Sequence, residues 1–280
     1  MTAHPTELRS VHASLNYLAS ARERPVTYTY EPPPGTPRRS GALLGQTVRI
    51  RDARPLRAGL SLDEQGFALT HHRSTVGDFY DADAIKRLYY PEIERLVGAV
   101  TGATRVLAFD HNVRSAPKAG SGEHGAKEPV KRVHNDFTAT SGRRRARDEL
   151  VAIGEDADAL LKHRFAVVNV WRPIGGPVRE SPLAVCDART IAPQDLVKGD
   201  LVYRDRVGET YAVTFNPQHR WFYVPEMQPD EALLIKCFDS WEYGPARFTA
   251  HSAFDDPSSP TDAPARESIE VRTLVLFAPR

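Results

Sequence analysis

Phe165-Ala-Val-Val-Asn-Val-Trp171 opens the part of this chain that decides the fold. It is a continuous apolar run with a single polar interruption, too short for a core helix and rich in β-branched residues, so it predicts a buried strand. Outward from it come Leu183 to Cys186, Asp200 to Tyr203, Thr210 to Phe215, Trp221 to Val224, Leu233 to Phe238 and Ile269 to Phe277, all separated by turn signals. Upstream, Val133-His-Asn-Asp-Phe137 supplies an eighth strand. Eight short strands predict a mainly β protein with added helices, built on a double-stranded β-helix: a jelly roll of the cupin-like kind, whose mouth can hold a metal.

The eighth strand carries the chemistry. In an extended chain, side chains two apart point the same way, so His134 and Asp136 share a face. A third ligand from a distant strand would complete two nitrogens and one oxygen, the facial set that leaves positions on Fe(II) open to oxygen and an organic cosubstrate. His219, at the start of His-Arg-Trp-Phe-Tyr-Val-Pro, is the expected third ligand. Taken alone, a His-x-Asp also fits a surface histidine beside a capping aspartate. The strand-type flanks and the glycine-rich loop before it favour the metal reading.

The rest of the chain sets limits. Its 280 residues can bury one large core. With 37 basic against 36 acidic residues, no general field favours nucleic acid or an anionic membrane. No apolar run reaches the ~20 residues of a membrane span, and no secretory leader is evident. Cys186 and Cys237 each sit inside an apolar run, which argues for a reducing cytoplasm and against a disulfide framework or a closed zinc site.

Residues 1–60 are rich in Pro and Arg and are expected to form an arm packed on the core. Residues 61–280 are expected to be a single oxygenase domain with helical insertions. A helix capped by Asp81 follows the arm, with Pro91 implying a kink or restart. The glycine-bearing segment at 115–128 is a candidate lid. Arg143, Arg144, Arg145 and Arg147 form the one charge run, read as a solvated helix face without the aromatic interleaving that nucleic-acid binding would bring.

Several short motifs together resemble a known group. Asn169-Val-Trp-Arg-Pro-Ile, Pro182-Leu-Ala-Val-Cys-Asp187, His219-Arg-Trp, Lys236-Cys-Phe-Asp-Ser240, His251-Ser-Ala-Phe254 and Arg266-Glu-Ser-Ile-Glu-Val-Arg272 are similar to the gibberellin-desaturase-like family, which includes cephem 7α-methoxylation components. The resemblance covers roughly residues 100–280. It implies an Fe(II)/2-oxoglutarate-dependent dioxygenase that hydroxylates or desaturates a small natural-product intermediate, with O2 as co-reactant. It implies His134, Asp136 and His219 as metal ligands, with no catalytic side chain beyond them. The methyltransferase label carried by some members has no counterpart here, because no glycine-rich nucleotide-type turn follows an early strand.

In many such enzymes the cation that holds the distal carboxylate of 2-oxoglutarate follows the distal histidine by one strand. That ranks Lys236 and Arg247 first, then Arg272, with Arg266 in an Arg-x-Ser form as a rival. Asn169 and Trp171, on one strand face, and Arg172 are candidate substrate contacts. His111 and His251 are candidates for proton handling. Arginines around the expected mouth (Arg114, Arg172, Arg247) suit an acidic, amino-acid-derived or peptide-like substrate, although they could equally pair with Asp187, Glu180 and Asp239. Two other readings stay open: a cupin-like metalloenzyme without 2-oxoglutarate, and a non-catalytic accessory subunit of a methoxylation system. A homodimer is also left open.

Overall fold

The computed structural model describes residues 8–279. Its strands form two curled sheets. The larger runs β1 (Ser10–Leu18), β3 (Leu43–Asp52), β11 (Trp221–Tyr223), β8 (Leu183–Cys186), β13 (His251–Ala253), β6 (His134–Asn135), β10 (Val207–Val213), β9 (Leu196–Val202) and β2 (Val26–Tyr28). The smaller runs β4 (Phe67–His71), β12 (Glu231–Asp239), β7 (Phe165–Pro173), β14 (Ser268–Leu276) and β5 (Arg105–Arg114). Of the segment expected to form an arm over residues 1–60, residues 1–7 lie outside the described residues, and β1, β2 and β3 pair into the larger sheet. Val11, Ala13, Leu15 and Tyr17 of β1 alternate toward the core, and all nine residues of β1 pair with β3.

Residue parity sorts the side chains. In β7, Ala166, Val168 and Val170 pack outward with Ile85, Tyr89, Ile93 and Val97 of the flanking helical segment. Phe165, Val167, Asn169 and Trp171 turn the other way, toward the space between the sheets. The same alternation in the larger sheet sends Val185 and Phe222 inward with Trp171 and Ile235, while Cys186 and Trp221 join a separate cluster with Tyr17 on the other face.

The flanking helix begins as expected, with the Asp81 carboxylate accepting from the backbone N–H groups of Asp83 and Ala84. Pro91 then acts on the turn before it. Having no N–H, it breaks the regular ladder, and Ile85–Tyr89 form one wide turn closed by the Tyr90 N–H on the Ile85 carbonyl. Regular helix resumes at Tyr90–Thr101 and ends on left-handed Gly102. A second helix, Ala139–Ala152, starts at a Thr138 capping box and closes one end of the barrel through Ala146 and Leu150. Its Gly142 lies so close to Phe238 that an added Cβ would stand 2.4 Å from the ring.

The arginine run on this helix, expected from sequence to be a solvated face, is ion-paired at three of its four members, and Arg144 donates to the Val207 carbonyl. Arg143 meets Glu242, Arg147 meets Asp158, and Arg145 meets both Glu149 and Asp110. No helix among the described residues is long and apolar enough to cross a membrane.

Candidate metal centre and cosubstrate cleft

β6 and β13 are two- and three-residue strands that pair at one point, His134 opposite His251. Cross-strand neighbours face the same way, so the two imidazole rings approach to 4.5 Å between centroids. Asp136, two residues after His134, turns to the same side, and its Oδ1 lies 3.5 Å from His134 Nε2. One ligand atom from each of His134, Asp136 and His251 can be chosen so that all lie within 4.8 Å of one another. This is a two-histidine, one-carboxylate set.

The hydrogen bonds around these groups orient them. His134 Nδ1 is 2.9 Å from the Arg132 carbonyl, and His251 Nδ1 is 3.1 Å from the Thr249 carbonyl. A carbonyl only accepts, so both Nδ1 atoms carry the proton and each Nε2 keeps its lone pair for the site. Burial first, and then the neighbouring His251, push the His134 pKa down to about 4, which keeps that ring neutral. Asp136 behaves oppositely. Burial opposes its ionisation, but Arg272 and the two histidines hold it well below the usual carboxylate range. Its Oδ2 accepts from Asn169 Nδ2 at 2.8 Å and from Arg272 Nε at 3.0 Å, leaving Oδ1 turned toward His134.

His219 is not in this set, which corrects the sequence expectation. It precedes Trp221 by two and shares that residue's face, the side of the larger sheet away from His251. Its Nδ1 is 3.2 Å from the Tyr17 hydroxyl and its Nε2 is 3.1 Å from Asp195 Oδ2, so both nitrogens are occupied. The residue in the third position is His251, which sequence reasoning had considered only for proton handling. A signal for it existed. If the anchoring cation follows the distal histidine by one strand, the Arg266-x-Ser268 pattern at the start of β14 points back to His251.

The cation candidates separate in the same way. Lys236 Nζ pairs with Asp63 at 2.5 Å and Asp239 at 2.7 Å, facing a different cavity beside Leu62 and Phe277. Arg247 binds Glu242 and the Asp239 carbonyl. Neither lines the cleft beside the two histidines. Arg272 does reach the centre, but it is committed to three carboxylates, Asp136, Asp110 and Glu270, at 3.0, 3.2 and 3.3 Å. That narrow cleft is lined instead by Arg114, Val130, His134, Trp171, Leu183, His251, Ala253, Arg266 and Glu270.

Arg266 is 4 % exposed. Its guanidinium donates to the Ser181 carbonyl, while its Nε and the nearby-in-sequence Ser268 hydroxyl have no partner. Burial, and next the charge of Arg114, lower its pKa to about 9 against the opposing pull of Glu180 and Glu270, neither of which forms an ion pair with it. Of the candidate substrate contacts, Trp171 walls this cleft and Asn169 holds Asp136. Arg172 faces the opposite side of the sheet, bonded to His72 and the Pro229 carbonyl over the rings of Phe79 and Tyr89. His111, the other proton-handling candidate, meets the Tyr90 hydroxyl at 2.9 Å.

Known proteins resemble this chain in sequence and in fold. A family model described as "Oxidoreductase/YMDC permease-like domain" matches residues 15–276. The Fe(II)/2-oxoglutarate-dependent dioxygenase nvfI of Aspergillus novofumigatus is 36 % identical over 89 % of this chain and 89 % of its own length. The hydroxylase/desaturase efuI of Hormonema carpetanum is 35 % identical over 83 % and 84 %. The solved structure of the iron and alpha-ketoglutarate-dependent endoperoxidase NvfI superposes with a TM-score of 0.83 at 30 % identity, covering 98 % of this chain and all of that one. With a jelly-roll neighbour of that quality and relatives similar along most of their length, the chain belongs to the family of Fe(II)/2-oxoglutarate-dependent dioxygenases.

Proposed function

We propose that this enzyme couples oxidative decarboxylation of 2-oxoglutarate to oxidation of an unactivated C–H bond in a small natural-product intermediate, giving hydroxylation or desaturation. The observation that carries the reading is the pair of imidazoles with Nδ1 tied to backbone carbonyls and Nε2 left free near Asp136, both rings lining a cleft that also holds a buried arginine without an ion pair. The donor set of two neutral nitrogens and one ionised oxygen suits Fe(II), and His134, Asp136 and His251 would hold it. Bound iron supplies the oxidising chemistry.

The chain's own residues do the positioning. Asn169 and Arg272 occupy one oxygen of Asp136 and leave the other for the metal. Arg266 and Ser268, whose polar atoms lack partners, form an acceptor-seeking pair for the distal carboxylate of 2-oxoglutarate. Trp171 and Leu183 give the cleft apolar walls that limit water. The free, buried Cys186 and Cys237 support assignment to a reducing cytoplasm.

The test is anaerobic titration of the Fe(II)-loaded protein with 2-oxoglutarate, followed by its charge-transfer absorption. Saturable binding is expected, and Arg266→Gln should weaken it by roughly 10- to 100-fold, the value of a lost charge-assisted contact. Indifference of the wild-type protein to 2-oxoglutarate would overturn the reading.

A further inference from the structure

Two arginines line the cleft without an ion pair, and 2-oxoglutarate accounts for only one of them. Among the described residues neither Arg114 nor Arg266 makes an ion pair, although both line the cleft. The one acidic side chain lining it, Glu270, is already paired with Arg272. Resting on the reading above, the divalent charge of the metal is met by Asp136 and the keto-acid carboxylate of 2-oxoglutarate. The distal carboxylate is met by Arg266. One cation, Arg114, remains without an ion pair of its own, since the acids that act on it, Glu270 and Asp136, are bonded to Arg272.

Its position in the fold fits a recognition role. Arg114 is the last residue of β5, where the chain leaves for the expected lid, and it pairs with Ser268 of β14 on the same sheet. The lid's two ends meet beside it: the Ser115 N–H donates to the Lys127 carbonyl and the Lys127 N–H to the Val113 carbonyl, each at 3.0 Å. Arg114 Nη1 spends one donor on the Glu128 carbonyl at 2.9 Å, which leaves most of its planar fork unused. Lys127 adds a second cation at the same rim, its ammonium 2.5 Å from Asn112 Oδ1.

We infer that Arg114 receives a carboxylate of the organic substrate at the mouth of the cleft, so that the enzyme acts on an acid and orients it by that group while 2-oxoglutarate occupies Arg266. A guanidinium fork suits a carboxylate bidentately, and fixing one end of the substrate beside the metal is what decides which C–H bond is reached.

Acetate and propionate probe this without knowledge of the substrate, with acetamide and propionamide as neutral controls. Each is titrated into the anaerobic Fe(II)/2-oxoglutarate-loaded protein while the charge-transfer absorption is followed. The carboxylates are expected to bind saturably, about tenfold more tightly than the amides. Arg114→Gln should remove that preference while its affinity for 2-oxoglutarate stays within about twofold of wild type. Arg114→Lys, which keeps the charge without the fork, should retain part of it. Equal binding of acid and amide by the wild-type protein overturns the proposal even if the variants fail to fold. So does an Arg114→Gln protein that still prefers acids, or one that loses 2-oxoglutarate and so marks Arg114 as the cosubstrate anchor. Failure of the wild-type protein to bind 2-oxoglutarate at all would instead sink the functional reading beneath it.

Discussion

Two buried histidines in this molecule stand beside carboxylates, and they do opposite things. His251 lies in β13 across from His134, one nitrogen on a backbone carbonyl and the other turned toward Asp136. His219 lies on the other face of the same sheet, one nitrogen near Tyr17 and the other near Asp195. A buried imidazole beside an acid is therefore no sign of a metal ligand. What distinguishes the site is an unspent nitrogen, left over because a carbonyl has claimed its partner.

The strongest way to break that contrast is to delete each ring in turn. His251→Ala is expected to lose stoichiometric Fe(II) and all detectable turnover, read by metal analysis and succinate formation. His219→Ala should keep its metal and lose about 1–3 kcal/mol of stability, read by denaturant unfolding. It removes one hydrogen bond each from the Asp195 carboxylate, which keeps Ala192 and Asn216, and from the Tyr17 hydroxyl, which keeps Trp221. Metal loss in His219→Ala with retention in His251→Ala would invert the assignment.

A smaller effect is expected one shell out. Asn169→Ala frees Asp136 Oδ2 from one of its two donors and should weaken metal affinity by about 10- to 100-fold, with the fold intact. An unchanged affinity would show that Arg272 alone orients the carboxylate.

Acidity sharpens the comparison most gently. The His134 pKa is depressed to about 4 from an unfolded value near 6.5, so between those limits the unfolded state binds more protons than the folded one. The stability linked to this ring is fully present above about pH 6.5 and is lost as pH falls toward about 4. Asp136, also depressed, contributes in the same direction at lower pH. Metal-free protein should therefore weaken steadily on acidification, and His134→Gln should flatten the upper part of that profile. A profile identical in the two proteins would mean that His134 is not held neutral by the fold.

The half of the centre that sequence exposed is the half that is local. His134 and Asp136 are two apart, and the period of an extended chain suffices to bring them together. His251 depends on a pairing between β6 and β13, strands of two and three residues, and elements so short leave no alternation to read. Among the sheets, β7, β12 and β14 were legible because burial on both faces makes them continuous apolar runs. β1 alternates plainly at Val11, Ala13, Leu15 and Tyr17, yet the prolines and arginines that follow disguised it as part of an arm. The proposed anchoring arginine was hidden for a related reason: Lys236 and Arg266 look alike in sequence, and only the ion pairs each makes tell them apart. Lys236 is ion-paired with Asp63 and Asp239, while Arg266 makes no ion pair among the described residues.

The contact between His134 and His251 joins points 117 positions apart along the chain (251 − 134), through strands that share a single paired residue. A metal held between them acts as a removable cross-link. By analogy with a covalent bridge closing a loop of that size, whose entropic worth is about 4–5 kcal/mol, the ion ties the jelly roll shut as well as serving its chemistry. Stripping it should loosen β6 and β13 first, so that loss of iron registers as faster amide exchange across that seam before any global unfolding.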